Sequence, residues 1–286
     1  MLGPFVLRHV LSKSDSTDMG VCMERAKIYA CVTGASSGIG MNMARRLAQE
    51  GYSVLLVARR IDKLKKVKEE IENLYLAKGA TCEIFTADLS KMTDCWALTN
   101  FLDDKKVAVF VNNAGFGECG YFLKTGIDKE LKMIDVNIKA VHYLTKMMIR
   151  KMEKQNGGYL LNVASSAGLI PAGPYMAAYY ATKAYVVSLT RAVAKELEEH
   201  NSRVYIGALC PGPVDTEFNE VANVEFSLKG ISAEACADYA VDMMKKRKKI
   251  IIPGLMMRTA VYAGKFCPTE LYLSIISHQQ KRKMGK

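Results

Sequence analysis

Seven short apolar runs, separated by longer amphipathic segments, limit the folds open to this chain. "KIYACVT" (27–33), "SVLLVA" (53–58), "CEIFTAD" (82–88) and "VAVFVNNAG" (107–115) read as the first four strands. Between them, "GMNMARRLAQEG" (40–51) reads as a helix stopped by Gly51, and "DKLKKVKEEIENLYLAKG" (62–79) as a charged helix ending at Gly79. A long helix is expected over about 128–152, followed by the strand "GYLLNVAS". In "AYVVSLTRAVAKEL", Val186, Leu189, Val193 and Leu197 recur three or four residues apart, a helical stripe. "RVYIGALCPGP" and "KKIIIPG" supply the last two strands. Strands without polar alternation are buried on both faces and need helices above and below. The expected architecture is α/β, a doubly wound parallel sheet in three layers with right-handed crossovers.

The chain has 286 residues, half of them hydrophobic, which suits one α/β domain with excursions. It shows no internal repeat or linker, so residues 23–286 are read as a single domain and residues 1–22 as a loosely ordered extension. The eight cysteines are scattered, with no CxxC and no Cys/His cluster. They are expected to be small buried residues in a reducing, cytoplasmic setting, with no metal site. The net charge of +11 draws on "KKRKK" (245–249) and the terminal "KRKMGK". Neither has interleaved aromatic residues, so nucleic acid is not an expected partner. No uninterrupted apolar run approaches the ~18 residues of a membrane span. The amphipathic and basic segment 255–286 is expected to cover the sheet edge or the mouth of a site. Its alternative reading is a peripheral membrane contact.

"TGASSGIG" (33–40) follows the first strand and opens the first helix. Gly34, Gly38 and Gly40 let the chain turn tightly and let a pyrophosphate approach the backbone. The free N–H groups of the helix then face that anion. The second strand ends in Ala58, followed by Arg59 and Arg60. A carboxylate there would accept the ribose 2′-hydroxyl of NAD, whereas a guanidinium suits the 2′-phosphate of NADP.

"AAYYATKAYV" sets Tyr179 four residues and Tyr180 three residues before Lys183. Both spacings bring a phenol near the lysine on a helix, and geometry alone leaves the choice open. A tyrosine with its ordinary pKa of about 10 is a poor base near neutrality, and a neighbouring ammonium favours the phenolate.

The spacing T-G-x-x-x-G-x-G resembles the short-chain dehydrogenase/reductase family, from about residue 25 to about 255. "NNAG" (112–115), Asn137 in "MIDVNIKA", Tyr179-x-x-x-Lys183 and "PGPVDT" (211–216) carry the same resemblance. It implies a Rossmann-like fold and an NADP(H)-dependent oxidoreductase acting on a carbonyl or secondary alcohol. It selects Tyr179 as general acid/base, with Lys183 lowering its pKa and bonding the nicotinamide ribose. Asn137 would complete a proton relay through a water.

For the serine, the family's usual spacing selects Ser166, while S-x-x-G with Gly168 selects Ser165; Ser165 is preferred. The resemblance also implies cofactor contacts from Gly34, Ser36, Ser37, Gly38, Ile39, Gly40, Arg59 and Asp88. Further contacts are implied from Asn113, Ala114, Gly115, Pro211, Gly212, Val214 and Thr216. Around the substrate mouth we expect Phe116, Phe122, Leu169, Ile170, Tyr175, Met176 and Phe218, a lining for a bulky hydrophobic ketone. A homodimer or homotetramer is implied as well. The alternative function is a non-catalytic dinucleotide-binding regulator or scaffold on the same fold.

Overall fold

The first strand lies inside the sheet rather than at its edge. The computed structural model describes residues 27–222 and 230–283, so the extension read at 1–22 lies outside the described residues. The strands are β1 (Ile28–Thr33), β2 (Ser53–Ala58), β3 (Cys82–Thr86), β4 (Lys106–Asn112), β5 (Gly158–Val163), β6 (Val204–Leu209) and β9 (Ile250–Ile251). They form one sheet in the order β3-β2-β1-β4-β5-β6-β9. Every pairing is parallel. The seven runs named above are these seven strands. A short second ladder joins β7 (Val214–Asp215) to β8 (Ile231–Ser232).

The runs are continuous in hydrophobicity because both faces are covered. On one face, Met43, Ala44, Leu47 and Ala48 of α1 (Gly38–Gln49) share a core with Cys236, Ala237, Ala240 and Val241 of α8 (Ala233–Lys245). On the other face, Leu144, Met148 and Met152 of α5 (Val141–Lys154) pack with Ala194 of α6 (Ala177–Glu199) and Cys95 and Leu98 of α3 (Met92–Phe101). Burying a Leu or Met side chain of this kind contributes about 1.5–3 kcal/mol. Helices α3 and α8 were not anticipated from periodicity. In α8, three of the five buried residues are alanine or cysteine, and such small residues give a weak hydropathy signal.

Two expected helices change shape. The helix read over 62–79 is α2 (Ile61–Leu74), and it stops early. The N–H groups of Tyr75 and Leu76 both donate to Ile71 O, and Leu76 turns back onto the core. The long helix read over 128–152 is α4 (Ile127–Ile134), a π-helical segment Asp135–Ala140, and α5. The widened turn centres on Asn137, and π segments of this kind often mark functional sites.

Basic residues of 245–249 are engaged within the fold. Lys245 pairs with Glu50 at 2.5 Å and Lys249 with Glu198 at 2.6 Å. The Arg247 guanidinium lies over the Tyr159 and Tyr205 rings, 5.9 and 5.7 Å from their centres. The C-terminal segment forms α9 (Leu255–Gly264) and α10 (Thr269–Lys283). Among the described residues, no helix is long and apolar enough to cross a membrane.

Candidate active site

The carboxyl ends of the central strands open onto a cleft of about 800 Å³. It lies where the strand order reverses, with β2 on one side of β1 and β4 on the other. Parallel α/β sheets bind ligands at this switch point.

The turn between β1 and α1 forms one wall. Gly34 and Gly38 have φ of +66° and +57°. A Cβ on Gly34 would stand 2.7 Å from Asn113 Nδ2, and one on Gly40 would stand 2.6 Å from Gly34 O. Only glycine tolerates both demands. Asn113 ties the turn to β4: its Nδ2 donates to Thr33 O at 2.9 Å and to Gly34 O at 3.2 Å. The Asn113 and Ala114 N–H groups both donate to Thr33 Oγ1, at 2.9 and 3.0 Å. Ser36, Ser37 and Ile39 complete this wall. A bare backbone surface at a helix N-terminus fits the pyrophosphate of a dinucleotide.

Gly115, Pro211, Gly212, Val214 and Thr216 line the same cleft, and Thr216 Cγ2 would sit 3.0 Å from a Cβ on Gly38. Arg59, Arg60 and Asp88 lie at its far end. Burial pushes the Asp88 carboxyl up, but bonds from Ser90 and the charges of Lys132 and Arg59 outweigh this and hold it below its ordinary value. Arg60, rather than Arg59, reaches the glycine turn, with Nη2 3.1 Å from Ser36 Oγ and 3.2 Å from Ser37 Oγ.

Tyr179 and Lys183 are both buried and both line the cleft. Lys183 Nζ donates to Val163 O at 2.9 Å and lies 5.8 Å from the centre of the Tyr179 ring. Burial pushes the Tyr179 hydroxyl well above its ordinary value, and hydrogen bonding with Ser165 pulls it back in part. Burial also brings Lys183 down to about 8. Desolvation therefore dominates both groups in this structure.

Ser165 and Ser166 both reach the cleft. Ser165 caps the turn Ser166–Leu169, accepting the Ala167 N–H at 3.1 Å. Gly168 makes this possible, since a Cβ there would meet Lys183 O at 2.4 Å. The S-x-x-G spacing thus seats Ser165 against α6.

Asn137 is fully buried behind the cleft. Its Nδ2 donates to Phe116 O at 2.9 Å and to Thr182 Oγ1 at 3.1 Å, and its Oδ1 accepts the Phe116 N–H at 3.2 Å. Asn137 Oδ1 and Lys183 Nζ converge beside Gly115, at 2.9 and 3.4 Å from where a Cβ would stand.

Tyr180 also touches the cleft, but its hydroxyl is taken by Gln280 of α10, whose Nε2 donates to it at 2.7 Å. A Cβ on Gly173 would lie 2.3 Å from the Tyr180 ring, so that ring packs on bare backbone. Phe116, Ile170, Met176 and Phe218 line the cleft, and the Phe218 ring lies 5.4 Å from that of Tyr179.

Three other expected mouth residues stand outside the lining. Tyr175 (φ +66°) places its ring under Lys281, 5.7 Å away. Leu169 packs beside Val186 and Cys210. Phe122 is exposed to solvent. Tyr272, Ile275, Ile276 and Gln280 of α10 form a wall in their stead. The apolar residues of α10 were visible in sequence, but which of them turn inward was not. Ile276 is buried, whereas Leu271 is exposed and outside the lining.

A glycine cradle at a parallel-sheet switch point, with a buried tyrosine and lysine beside it, defines an oxidoreductase of the dinucleotide-binding class. The chain belongs to the short chain dehydrogenase family, whose profile matches residues 28–225. It is 30% identical over 203 residues to the very-long-chain 3-oxoacyl-CoA reductase of Anas platyrhynchos, covering 69% of this chain and 63% of that protein. It is 29% identical over 231 residues to 17-beta-hydroxysteroid dehydrogenase type 3 of Mus musculus, covering 76% of this chain and 73% of that one. The structure resembles a short-chain dehydrogenase from Sphingobium yanoikuyae in complex with NADPH. Their TM-score is 0.75 and their identity 27%, over 83% of this chain and 91% of the other.

Proposed function

We propose that this protein is an NADP(H)-dependent oxidoreductase that interconverts a carbonyl and a secondary alcohol on a hydrophobic substrate. The observation that carries the reading is the Tyr179 hydroxyl, buried in an apolar cleft with Ser165 as its hydrogen-bonding neighbour and Lys183 behind its ring. The glycine cradle would hold the pyrophosphate of the cofactor, whose reduced nicotinamide would supply the hydride for the carbonyl carbon. Tyr179 gives its proton to the carbonyl oxygen, and Ser165 donates a hydrogen bond to the same oxygen. Lys183 would return a proton to Tyr179, drawing it from solvent through a water held by Asn137, whose Oδ1 converges with Lys183 Nζ beside Gly115.

The phosphorylated cofactor is supported by the two arginines that follow β2 and by the NADPH of the Sphingobium relative. A hydrophobic substrate is supported by Phe116, Ile170, Met176, Phe218 and Ile276 on the cleft wall, and by the steroid and acyl names of the two relatives. Each methylene buried there contributes about 0.8 kcal/mol.

The test is NADPH oxidation along a ketone series of rising apolar size. Efficiency should climb until the cleft is full, with NADPH preferred over NADH. A flat profile, or a preference for polyhydroxylated sugars, contradicts the reading.

The serines give a second check. Ser165→Ala should lower kcat by about 10²–10³, the loss on removing one oxyanion donor. Ser166→Ala, whose N–H bonds Pro211 O and whose side chain has no assigned role, should cost much less. The reverse order, measured by steady-state kinetics, would move the role to Ser166.

A further inference from the structure

The sequence offers no carboxylate at the end of β2, yet the fold brings one there. Glu217 lies in the strip after β7, 157 residues from Arg60. Its Oε2 is 2.8 Å from Arg60 Nη2, and its Oε1 pairs with Lys63 on α2. The same Arg60 nitrogen donates to Ser36 and Ser37. Hydrogen bonds from Lys63 and Arg60 hold the Glu217 carboxyl down at about 2, so it is anionic throughout the neutral range. One guanidinium end, one ammonium and two hydroxyls therefore form an anion seat beside the glycine turn, and the chain's own carboxylate occupies it.

The end of the second strand is where dinucleotide folds read the adenosine ribose. A carboxylate there accepts the 2′-hydroxyl, and a guanidinium holds the 2′-phosphate. Here both groups reach the same seat. We propose that Glu217 is a cofactor-specificity residue. It competes with a ribose 2′-phosphate for Arg60 and Lys63, accepts the 2′-hydroxyl of the unphosphorylated cofactor, and so narrows the preference for NADPH over NADH. This rests on the reading of the arginine pair as the phosphate-binding group. With Arg59, Arg60 and Lys63 set against Glu217 and the neighbouring Asp88, the seat keeps an excess of positive charge, so the phosphate still displaces Glu217.

The competition reaches the reacting end of the cleft. Glu217 is flanked by Thr216, which lies over Gly38, and by Phe218, whose ring packs on Tyr179. Moving Glu217 off Arg60 acts on a strip that touches both the cradle and the substrate wall.

The experiment measures dissociation constants of NADPH and of NADH for the full chain by calorimetry, without turnover. The proteins compared are wild type, Glu217→Gln and Arg60→Ala. Glutamine keeps the size of the side chain, and Glu217 and Arg60 are both partly exposed, so no core contact is altered. Glu217→Gln should tighten NADPH binding about tenfold, the scale of one charge-assisted contact, while NADH binds equally or more weakly. An unchanged or smaller ratio of the NADH to the NADPH constant in Glu217→Gln overturns the proposal, because Glu217 would then only orient Arg60 or form an idle surface pair. The reading on which it rests fails separately. That failure would show as wild-type binding of NADH at least as tight as NADPH, with Arg60→Ala leaving NADPH binding intact.

Discussion

Tyr179→Phe should remove nearly all turnover, by about 10²–10⁴ in kcat, the range that a positioned general acid contributes. NADPH binding and thermal stability should stay close to wild type. The ring keeps its packing against Phe218 and Tyr180, and only the hydroxyl that faces Ser165 is lost. Tyr180→Phe should behave differently. Its hydroxyl bonds Gln280, so its loss costs about 1 kcal/mol of stability and loosens α10, while the proton donor remains. Burial brings Lys183 down to about 8, so wild-type reduction that draws a proton through Lys183 should slow as pH rises through about 8. Single-turnover kinetics with NADPH and a bulky ketone, beside melting curves, separate the two variants. Should Tyr180→Phe be the dead enzyme and Tyr179→Phe the active one, the acid has been assigned to the wrong ring.

The second large effect is expected at Gly34. A valine there must adopt φ of +66°, and its Cβ would stand 2.7 Å from Asn113 Nδ2 and 2.9 Å from Ala114 Cα. Backbone strain of this kind costs about 1–3 kcal/mol. The clash adds to it, because Asn113 cannot retreat without breaking its bonds to Thr33 and Gly34. Gly34→Val should therefore lower the urea midpoint clearly and weaken NADPH binding by at least about 100-fold, since the backbone no longer allows the close approach of a pyrophosphate. Gly51→Ala is the control. Gly51 also has a positive φ, of +94°, but nothing lies within 4 Å of its Cβ position. It should show the strain alone, with cofactor affinity unchanged. Equal loss of NADPH affinity in both variants would mean that general destabilisation, not the shape of the cradle, sets binding.

Much of this was legible in the sequence because the signals are local. A buried parallel strand needs a run of apolar residues, and each of the seven runs became a strand of the one sheet. The glycine turn was legible because positive φ and close backbone approach exclude other residues at Gly34 and Gly38. The spacing of Tyr179 and Lys183 fixed their shared side of α6 before any neighbour was known.

What could not be read there depends on contacts between distant segments. Ser165 and Ser166 are adjacent and both reach the cleft, and spacing alone does not show that Gly168 beside them lies against Lys183 O. Tyr175 was expected at the mouth, but a left-handed backbone turns its ring under Lys281, and α10 fills the wall. The basic residues of 245–249 are mostly exposed, and their partners Glu50, Glu198 and Tyr205, which come from distant segments, could not be read from local spacing. Glu217 shows the limit most sharply. A local pattern records that no acid follows β2, since Ala58, Arg59 and Arg60 stand there. It carries no trace of an acid that arrives beside Arg60 from the far side of the sheet, because that approach is set by chain crossovers and packing rather than by spacing along the chain.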